Sequence, residues 1–307
     1  MEMEKGVKRW LVDISNWNPS PLAFSHAISL LPPYTHSSIT RFVKLEDQKR
    51  TLVSRLLQYT LVHEVLQIPI AEILINRTLE GKPFLEYKKS KLAFPNFNFN
   101  VSHHGDYVAI ASEPICLVGV DIVSHSTPEK ETVLEFIQNF STYFSSLEWD
   151  KIYKAGSDDD ILLEFYSLHF HRYWCVKESF VKAIGNGVGY KLDGVEFHHR
   201  EWTNIRVNIN GAELKDWKFW LSSIGKNHML SVARGHPRIA AESYRKTLDK
   251  TQFDENEYKF GLNLPNSSFV LRTVEQLISI FLQSPKITRN MSRKSDNSED
   301  RSHGQLF

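Results

Sequence analysis

At 307 residues, with 41% hydrophobic and 24% charged side chains, the chain has the profile of a globular protein long enough for two domains, each with its own core. A formal net charge of +1 argues against non-specific nucleic-acid binding, which rests on a strong basic excess. Two cysteines, Cys116 and Cys175, exclude a disulfide framework and a four-ligand zinc site built on cysteine.

The first residues, Met1-Glu2-Met3-Glu4-Lys5, carry neither the apolar core of a signal peptide nor the Arg/Ser-rich, acid-poor composition of a transit peptide. No 18-residue apolar run is present, so no membrane span is expected. The cytosol is the expected compartment, with an organellar form carrying a longer N-terminus as the alternative.

Residues 9–15 read as a strand. Pro32-Pro33 breaks the chain before a helix that Ser37 or Ser38 caps and that runs through Arg41, Phe42 and Val43. A long helix follows over 46–66, with Leu52, Leu56, Leu57, Tyr59, Leu61 and Val65 as apolar positions. Residues 73–77 read as a strand and Glu80-Gly81-Lys82-Pro83 as a turn. Phe97-Asn98-Phe99-Asn100-Val101 alternates aromatic with polar, the pattern of a half-buried strand. His103 to Asp106 turns the chain into a strand over 107–111. Residues 117–122 form a buried strand with one acid, Asp121, near its end.

Composition turns polar over 123–130, and the boundary between an N-terminal half (1–125) and a C-terminal half (126–245) is placed there. Helices near 130–155 and 160–184 follow, the second capped by Asp158, Asp159 or Asp160 and ended by Gly185, Gly187 and Gly189. Strands are expected near 193–199, 204–209, 216–223 and 228–234. Each half runs from a long helix through a glycine turn to strands ending in a histidine-bearing hairpin, His103-His104-Gly105 and Lys226-Asn227-His228. This weak internal repeat implies an α+β fold of two similar α/β halves, related by a pseudo-twofold, with a cleft between them. An extension over 246–307 completes the chain: polar residues over 246–268, a helix near 270–283, and a Ser/Arg/Lys/Asp-rich stretch, 285–307, read as disordered.

Four segments carry the chemistry. In the run Trp174 to Gly185, Glu178 and Lys182 lie four apart on one helical face with Trp174. Lys177 extends the charged side, and Val176, Phe180 and Ile184 form an apolar row. A surface ion pair over a packed stripe is the plain alternative. Arg77 and Lys82 flank a glycine turn suited to a phosphate, or simply make a basic loop. Ser102 and His103 end a strand where they meet a phosphate or cap a turn. Asp121 closes an apolar strand and needs a cation, either a metal or a neighbouring Arg or Lys. Asp121 and Glu178 are hard oxygen ligands suited to Mg2+, which shares itself with substrate phosphates. Arg77, Lys82, His103 and Lys182 supply the neutralising charge for chemistry on a polyphosphorylated cofactor.

The order Gly-Lys-Pro-Phe, Phe-Asn-Val-Ser-His, Val-Gly-Val-Asp and Trp-x-x-Lys-Glu-Ser-x-x-Lys resembles the 4'-phosphopantetheinyl transferase superfamily over about residues 10–240. It is nearest to the single-chain, two-halved type that serves fatty-acid, lysine-pathway and polyketide carrier domains. The resemblance implies a holo-[acyl-carrier-protein] synthase reaction: phosphopantetheine moves from coenzyme A to a serine of an apo acyl or peptidyl carrier protein, and adenosine 3',5'-bisphosphate leaves. It implies coenzyme A binding by Arg77, Thr78, Gly81, Lys82, Asn100, Ser102, His103 and Lys182. Magnesium would sit on Asp121 and Glu178, with Glu178 the base and Lys182 on the diphosphate. It also implies a monomer, since both halves of the cleft come from one chain.

Two positions depart from the pattern. Val123 stands where many bacterial relatives carry a third acid. Ser38 stands where an arginine often meets the cofactor's 3'-phosphate, with Arg41 one turn on. The competing class is a non-catalytic coenzyme A or carrier-protein binding module with the same fold, which should have lost Asp121, Glu178 or Lys182. A nucleic-acid role for the basic tail (Lys286, Arg289, Arg293, Lys294) is undercut by Asp296, Glu299 and Asp300.

Overall fold

The computed structural model describes residues 2–87, 94, 96–125, 133–154, 159–248 and 254–284. In chain order the elements are β1 (Lys8–Asp13), α1 (Pro21–Ser29), α2 (Pro33–Thr40), α3 (Leu45–Leu66), β2 (Ile75–Arg77), β3 (Pro83–Leu85), β4 (Asn98–His104), β5 (Tyr107–Glu113) and β6 (Leu117–Ser124). They continue with α4 (Val133–Gln138), α5 (Ser146–Lys154), α6 (Asp159–Ile184), β7 (Val195–Arg200), β8 (Thr203–Ile209), β9 (Ala212–Glu213), β10 (Trp217–Ile224) and β11 (His228–Gly235). The last four are α7 (Glu242–Arg245), α8 (Glu255–Leu262), β12 (Val270–Arg272) and α9 (Val274–Gln283).

Two long helices each cover a sheet, one mixed and one antiparallel. Leu52, Leu56, Leu57, Tyr59 and Leu61 of α3 are buried with Phe99 of β4 and Val108 and Ile110 of β5. Glu46 and Asp47 favour the first turn of α3 through the helix dipole, and Gln67, left-handed at φ 56°, stops it. The apolar row Val176, Phe180 and Ile184 of α6 is buried with Leu117 of β6 and Ala233 of β11. The sheets are β12-β1-β5-β4 and β10-β11-β6. The mixed α+β class expected from the sequence is thus the one observed.

The seam between the sheets is built from side chains. Alternate residues of β4 reach across to β6: Asn98 Oδ1 accepts from Val118 N at 3.1 Å, Asn100 Oδ1 from Val120 N at 2.9 Å, and Ser102 Oγ from Ile122 N at 3.2 Å. Three polar side chains thereby satisfy the backbone donors of a strand whose other edge pairs with β11. Asn98, Asn100 and Ser102 are buried, so the strand is not half-exposed as its alternation predicts. The reason is that its polar face meets another sheet rather than water.

Two close approaches fix α6 on this seam. A Cβ on Gly119 would lie 1.9 Å from Ser179 O, so only glycine lets the helix backbone sit on β6. Ser179 Oγ bonds Ser231 Oγ of β11 at 2.9 Å. The two histidine hairpins also meet: His228 lies edge-on to Tyr107 at 5.0 Å and to His104 at 6.2 Å, over glycine turns at Gly105 and Gly225.

Four sequence expectations change. The helix expected to be capped by Ser37 or Ser38 and to run through Val43 is α2, which begins at Pro33, where proline fits the first helical turn, and ends at Thr40. The single helix expected near 130–155 is two, α4 and α5, with residues 139–145 between them. Lys177 does not extend the charged face: it is fully buried, paired with Glu148 at 2.8 Å and bonded to Leu192 O. One residue is about 100° of helix, which turns it from Glu178 toward α5. The polar stretch after 246 contains α8, and β12 adds to β1 in parallel through 270–272. There Thr273 and Gln276 form a capping box that starts α9 at 274 rather than 270. Leu277 and Phe281 then return to the N-terminal core. The polar link over 126–130, Asp158, and residues 285–307 lie outside the described residues.

A buried charge cluster binds these parts. Glu113 of β5 pairs with Arg9 of β1 and with Arg234 of β11, and all three side chains are fully buried. Arg234 also donates to Leu264 O and Pro265 O, and Arg9 to Asn266 Oδ1, which pins the segment leading to β12.

Candidate active site

The expected site residues come from five elements that meet where α6 crosses the seam. A cavity of about 310 Å³ is lined by Arg77, Gly81, Lys82, Asn100, Ser102, His103, Glu178 and Lys182, together with Ser54, Val181 and Gly185. A second cavity of about 340 Å³ shares Ser102, His103, Glu178 and Lys182 with it and is walled by Asp121, Phe136, Phe140, Phe170, His171 and Trp174. His171, Trp174, Glu178 and Lys182 follow one another at helical spacing along one face of α6. Glu178 and Lys182 therefore stand at the junction of a cationic cavity and an aromatic one.

At that junction Lys182 Nζ lies 2.5 Å from Asp121 Oδ1 and 2.9 Å from Ser102 Oγ, and Ser102 donates to the same Asp121 oxygen at 3.0 Å. Burial pulls the Lys182 ammonium down, but Asp121 and then Glu178 outweigh it and its pKa is raised. Burial, and next the charge of Asp121, push Glu178 up to about 6. Burial and then Lys182 hold His103 down at about 4, so its imidazole is neutral at ordinary pH. Asp121 and Glu178 thus share one electrostatic environment from a strand and a helix.

The turn between β2 and β3 behaves differently from its expected role as a phosphate cradle. Thr78 stitches the turn, its N–H bonding Lys82 O and its Oγ1 accepting from Lys82 N, and it is not part of the cavity wall. Lys82 is 5% exposed; its ammonium donates to Val118 O and Lys182 O and lies 4.6 Å from the Tyr244 ring. Burial, then Lys182, drive its pKa well down. Lys82 thus ties the end of α6 to β6. Arg77 donates to Gly81 O, and burial followed by Arg55 and Arg41 brings it down to about 10.

Arg55 was not singled out by sequence reasoning. Ser54 and Arg55 interrupt the apolar run Leu52 to Leu57 on a buried helix, and that interruption was the available signal. Arg55 Nη2 lies 3.5 Å from Ser38 Oγ, and burial, with a smaller contribution from Arg41 and against Tyr59 and Tyr34, lowers its pKa. Among the described residues Arg41, Arg55 and Arg77 have no carboxylate partner. Arg41 and Arg55 both act on Arg77, and Arg41 on Arg55, with no acid set against them, a charge balance that favours an anion.

The described residues contain no group of three His, Cys, Asp or Glu side chains able to hold a metal. Val123, where a third acid was absent from the sequence pattern, is buried beside Cys175 and Met229. Among the described residues no helix is long and apolar enough to cross a membrane.

Comparison with known proteins agrees with this geometry. Residues 15–115 match the family described as 4'-phosphopantetheinyl transferase, N-terminal, and residues 117–233 match the 4'-phosphopantetheinyl transferase superfamily. The chain is 36% identical over 237 residues to the L-aminoadipate-semialdehyde dehydrogenase-phosphopantetheinyl transferases of Rattus norvegicus and Homo sapiens, which covers 75% of this chain and 75% of each relative. It is 32% identical over 247 residues to the phosphopantetheinyl transferase of a Thraustochytrium species, covering 76% of this chain and 83% of that one. The chain belongs to the 4'-phosphopantetheinyl transferase superfamily, and is a transferase that moves phosphopantetheine from coenzyme A to a carrier protein.

Proposed function

We propose that the two cavities hold the two substrates and that Glu178 and Lys182 join them. Coenzyme A places its nucleotide in the cationic cavity, its terminal phosphate on Arg41, Arg55 and Arg77 and its diphosphate against His103, Asn100 and Lys182. Arg55 fills the role left open by Ser38. Lys82 and Gly81 shape the floor, and Thr78 holds the turn that carries them. The carrier serine enters from the aromatic side and meets Glu178. A serine alcohol is a weak nucleophile at neutral pH. Glu178, raised to about 6, is matched to accept its proton. The oxygen then bonds to the phosphorus next to the pantetheine arm, the diphosphate bond breaks, and adenosine 3',5'-bisphosphate leaves. Lys182 neutralises the charge that grows on the departing oxygens.

Asp121 and Glu178 would hold Mg2+. Asp121 keeps one oxygen, Oδ2, free of hydrogen bonds among the described residues, and Glu178 faces the same pair of cavities. When bound, the ion supplies charge stabilisation on the diphosphate. By likeness to the named relatives, the acceptor is the carrier domain of an aminoadipate-semialdehyde dehydrogenase or a related multidomain synthase, met by a cytosolic monomer.

The observation that carries this reading is the position of Glu178 and Lys182 in both cavities at once. The test is incubation of an apo carrier domain with coenzyme A, Mg2+ and the protein. The carrier gains the mass of one phosphopantetheine, and an unchanged mass would return the chain to a binding module.

A further inference from the structure

We propose that the side of α6 turned away from the two site cavities, with α5 and the β7–β8 hairpin beside it, is a docking surface for an acidic segment of a partner polypeptide. His169 precedes His171 by two residues and Arg172 precedes Trp174 by two, about 200° of helix in each case. His171 and Trp174 line the aromatic cavity, so His169 and Arg172 leave the helix on its far side. Two further cavities open there. One, about 500 Å³, has His169, Arg172, Trp202, Leu221 and Met229 in its wall. The other, about 550 Å³, has Lys151, His198, Arg200 and Arg206. His199 lines both, with Nδ1 engaged by Trp202 N and Nε2 by the Tyr173 hydroxyl, so it serves as wall and not as ligand.

The charge on this face is positive and largely uncompensated. Among the described residues Lys151, Arg172 and Arg200 make no ion pair. Arg172 lies 5.5 Å over the Trp202 ring, and burial lowers its pKa. Lys151, His169, Arg172 and His198 all act on His199 in the same direction, with no carboxylate set against them. Glu196 is held by His198 at 2.8 Å and Glu213 lies 3.9 Å from Arg206, and Glu201 is the one acid among the residues lining either cavity. Glu201 and Trp202 are both left-handed, at φ 49° and 60°, a conformation that bulky side chains rarely adopt. That turn lays Trp202 on His199, 3.9 Å between ring centroids, with Arg172 over its face.

The division of charge selects the ligand. A single phosphate or carboxylate fills one cavity, whereas the cations are shared between two, so the ligand that satisfies them carries several negative charges along its length. Trp202, Leu221 and Met229 offer apolar surface beside the charge, which suits a chain of acidic and apolar side chains. A nucleic acid would meet a whole chain of net charge +1. The surface lies apart from the transfer site, and its test does not depend on turnover.

The test is fluorescence anisotropy of the full chain with a labelled peptide alternating glutamate and leucine. Its glutamine counterpart is the control, inorganic phosphate and a single-stranded oligonucleotide are competitors, and salt is varied. The glutamate peptide is expected to bind at least about tenfold more tightly than the glutamine form and to weaken as salt rises. Arg172→Gln and Lys151→Gln are each expected to weaken it about three- to fivefold, the range for a solvent-accessible charge pair. The double variant multiplies the two losses, because the residues line different cavities. Should either variant melt lower than wild type, Arg200→Gln, at an exposed position, takes its place. Equal binding of the two peptides, or wild-type affinity in Arg172→Gln, overturns the proposal. A loss confined to Arg172→Gln with full displacement by phosphate reduces the face to a small-anion site and overturns it too, as does an oligonucleotide that outcompetes the peptide. Modification of an isolated carrier domain stays within about twofold of wild type in both variants, since the surface is remote from the transfer site. A larger loss would place these residues in the transfer reaction instead. A wild-type chain that leaves the carrier unmodified removes the transferase reading and leaves this surface standing.

Discussion

Lys182, on the last turn of α6, sets its ammonium 2.5 Å from Oδ1 of Asp121 on β6, so the strand acid carries a protein cation on one oxygen. Glu178, one turn earlier on the helix, makes no such pair among the described residues, and its carboxyl is raised to about 6 by burial and by Asp121. Two carboxylates at one junction thus sit in unequal environments: one is anchored by a cation, and the other holds a proton more readily than an ordinary carboxylate.

Asp121→Ala removes the partner of Lys182 and one of two proposed metal ligands. It is expected to lower kcat by at least about tenfold and to raise the Mg2+ concentration at half-maximal rate. A magnesium titration superimposable on wild type would take Asp121 out of the metal site.

Glu178→Gln keeps shape and removes the base. A rate loss of about 10²- to 10⁴-fold is expected, with coenzyme A affinity changed only a few-fold. Calorimetry alongside single-turnover kinetics separates the two effects, and a fully active variant would assign proton transfer elsewhere.

Gly119→Ala tests the helix–strand contact. Its new methyl would lie 1.9 Å from Ser179 O and 2.5 Å from Ala183 N, both backbone atoms of α6 that cannot swing aside. Overpacking of this kind costs about 3 kcal/mol or more. Chemical denaturation should show that loss, and a midpoint within error of wild type would mean that α6 moves freely on β6.

His199 gives the fold a pH dependence. Its ring stacks on Trp202 at 3.9 Å, accepts from Trp202 N through Nδ1, and bonds Tyr173 through Nε2. Burial first, then Lys151, His169 and Arg172, hold it down at about 4. A histidine with a depressed folded value is neutral in the native state. Its contribution is complete above the unfolded value, about 6.5, and is lost as pH falls from there toward 4. Thermal melts of wild type and His199→Gln should therefore differ by a few degrees at pH 7, with the gap closing by pH 4.5. A pH-independent gap would show that the ring does not titrate in this window. His103, also held at about 4, titrates in both proteins and cancels from the comparison.

Ending the chain before β12 strips Leu277 and Phe281 from the N-terminal core, and each buried apolar side chain of that size contributes about 1.5–3 kcal/mol. That truncation is expected to give insoluble or unfolded protein. Removal of 285–307 is expected to leave melting and activity unchanged; a large loss from the shorter deletion would show that those residues contribute to the fold.

The long, strongly periodic elements were legible because periodicity is local, whereas short ones such as α1, α8 and β12 were not. Helices α3 and α6 fell within a residue or two of their expected spans, as did β5 and β10, since apolar spacing at 3.6 or 2 residues is dictated by backbone geometry alone. The pairing of Glu178 with Lys182 on one face followed from the same geometry. Sequence also determined that Asp121 needs a cation, because an isolated buried carboxylate is too costly to leave bare.

Which cation, and which partner for every other buried polar group, only the tertiary structure decided. Lys177 and Lys182 are both lysines on α6, yet one is locked to Glu148 inside the core and the other reaches Asp121 at the cavity junction. Asn98, Asn100 and Ser102 looked like the wet face of a strand and instead hold two sheets together. Lys82 bonds the carbonyl of a residue 100 positions away, and Arg234 closes on a segment about 30 positions beyond it. A polar side chain's partner is chosen by whatever the fold brings within 3 Å of it, and no spacing along the chain encodes that distance.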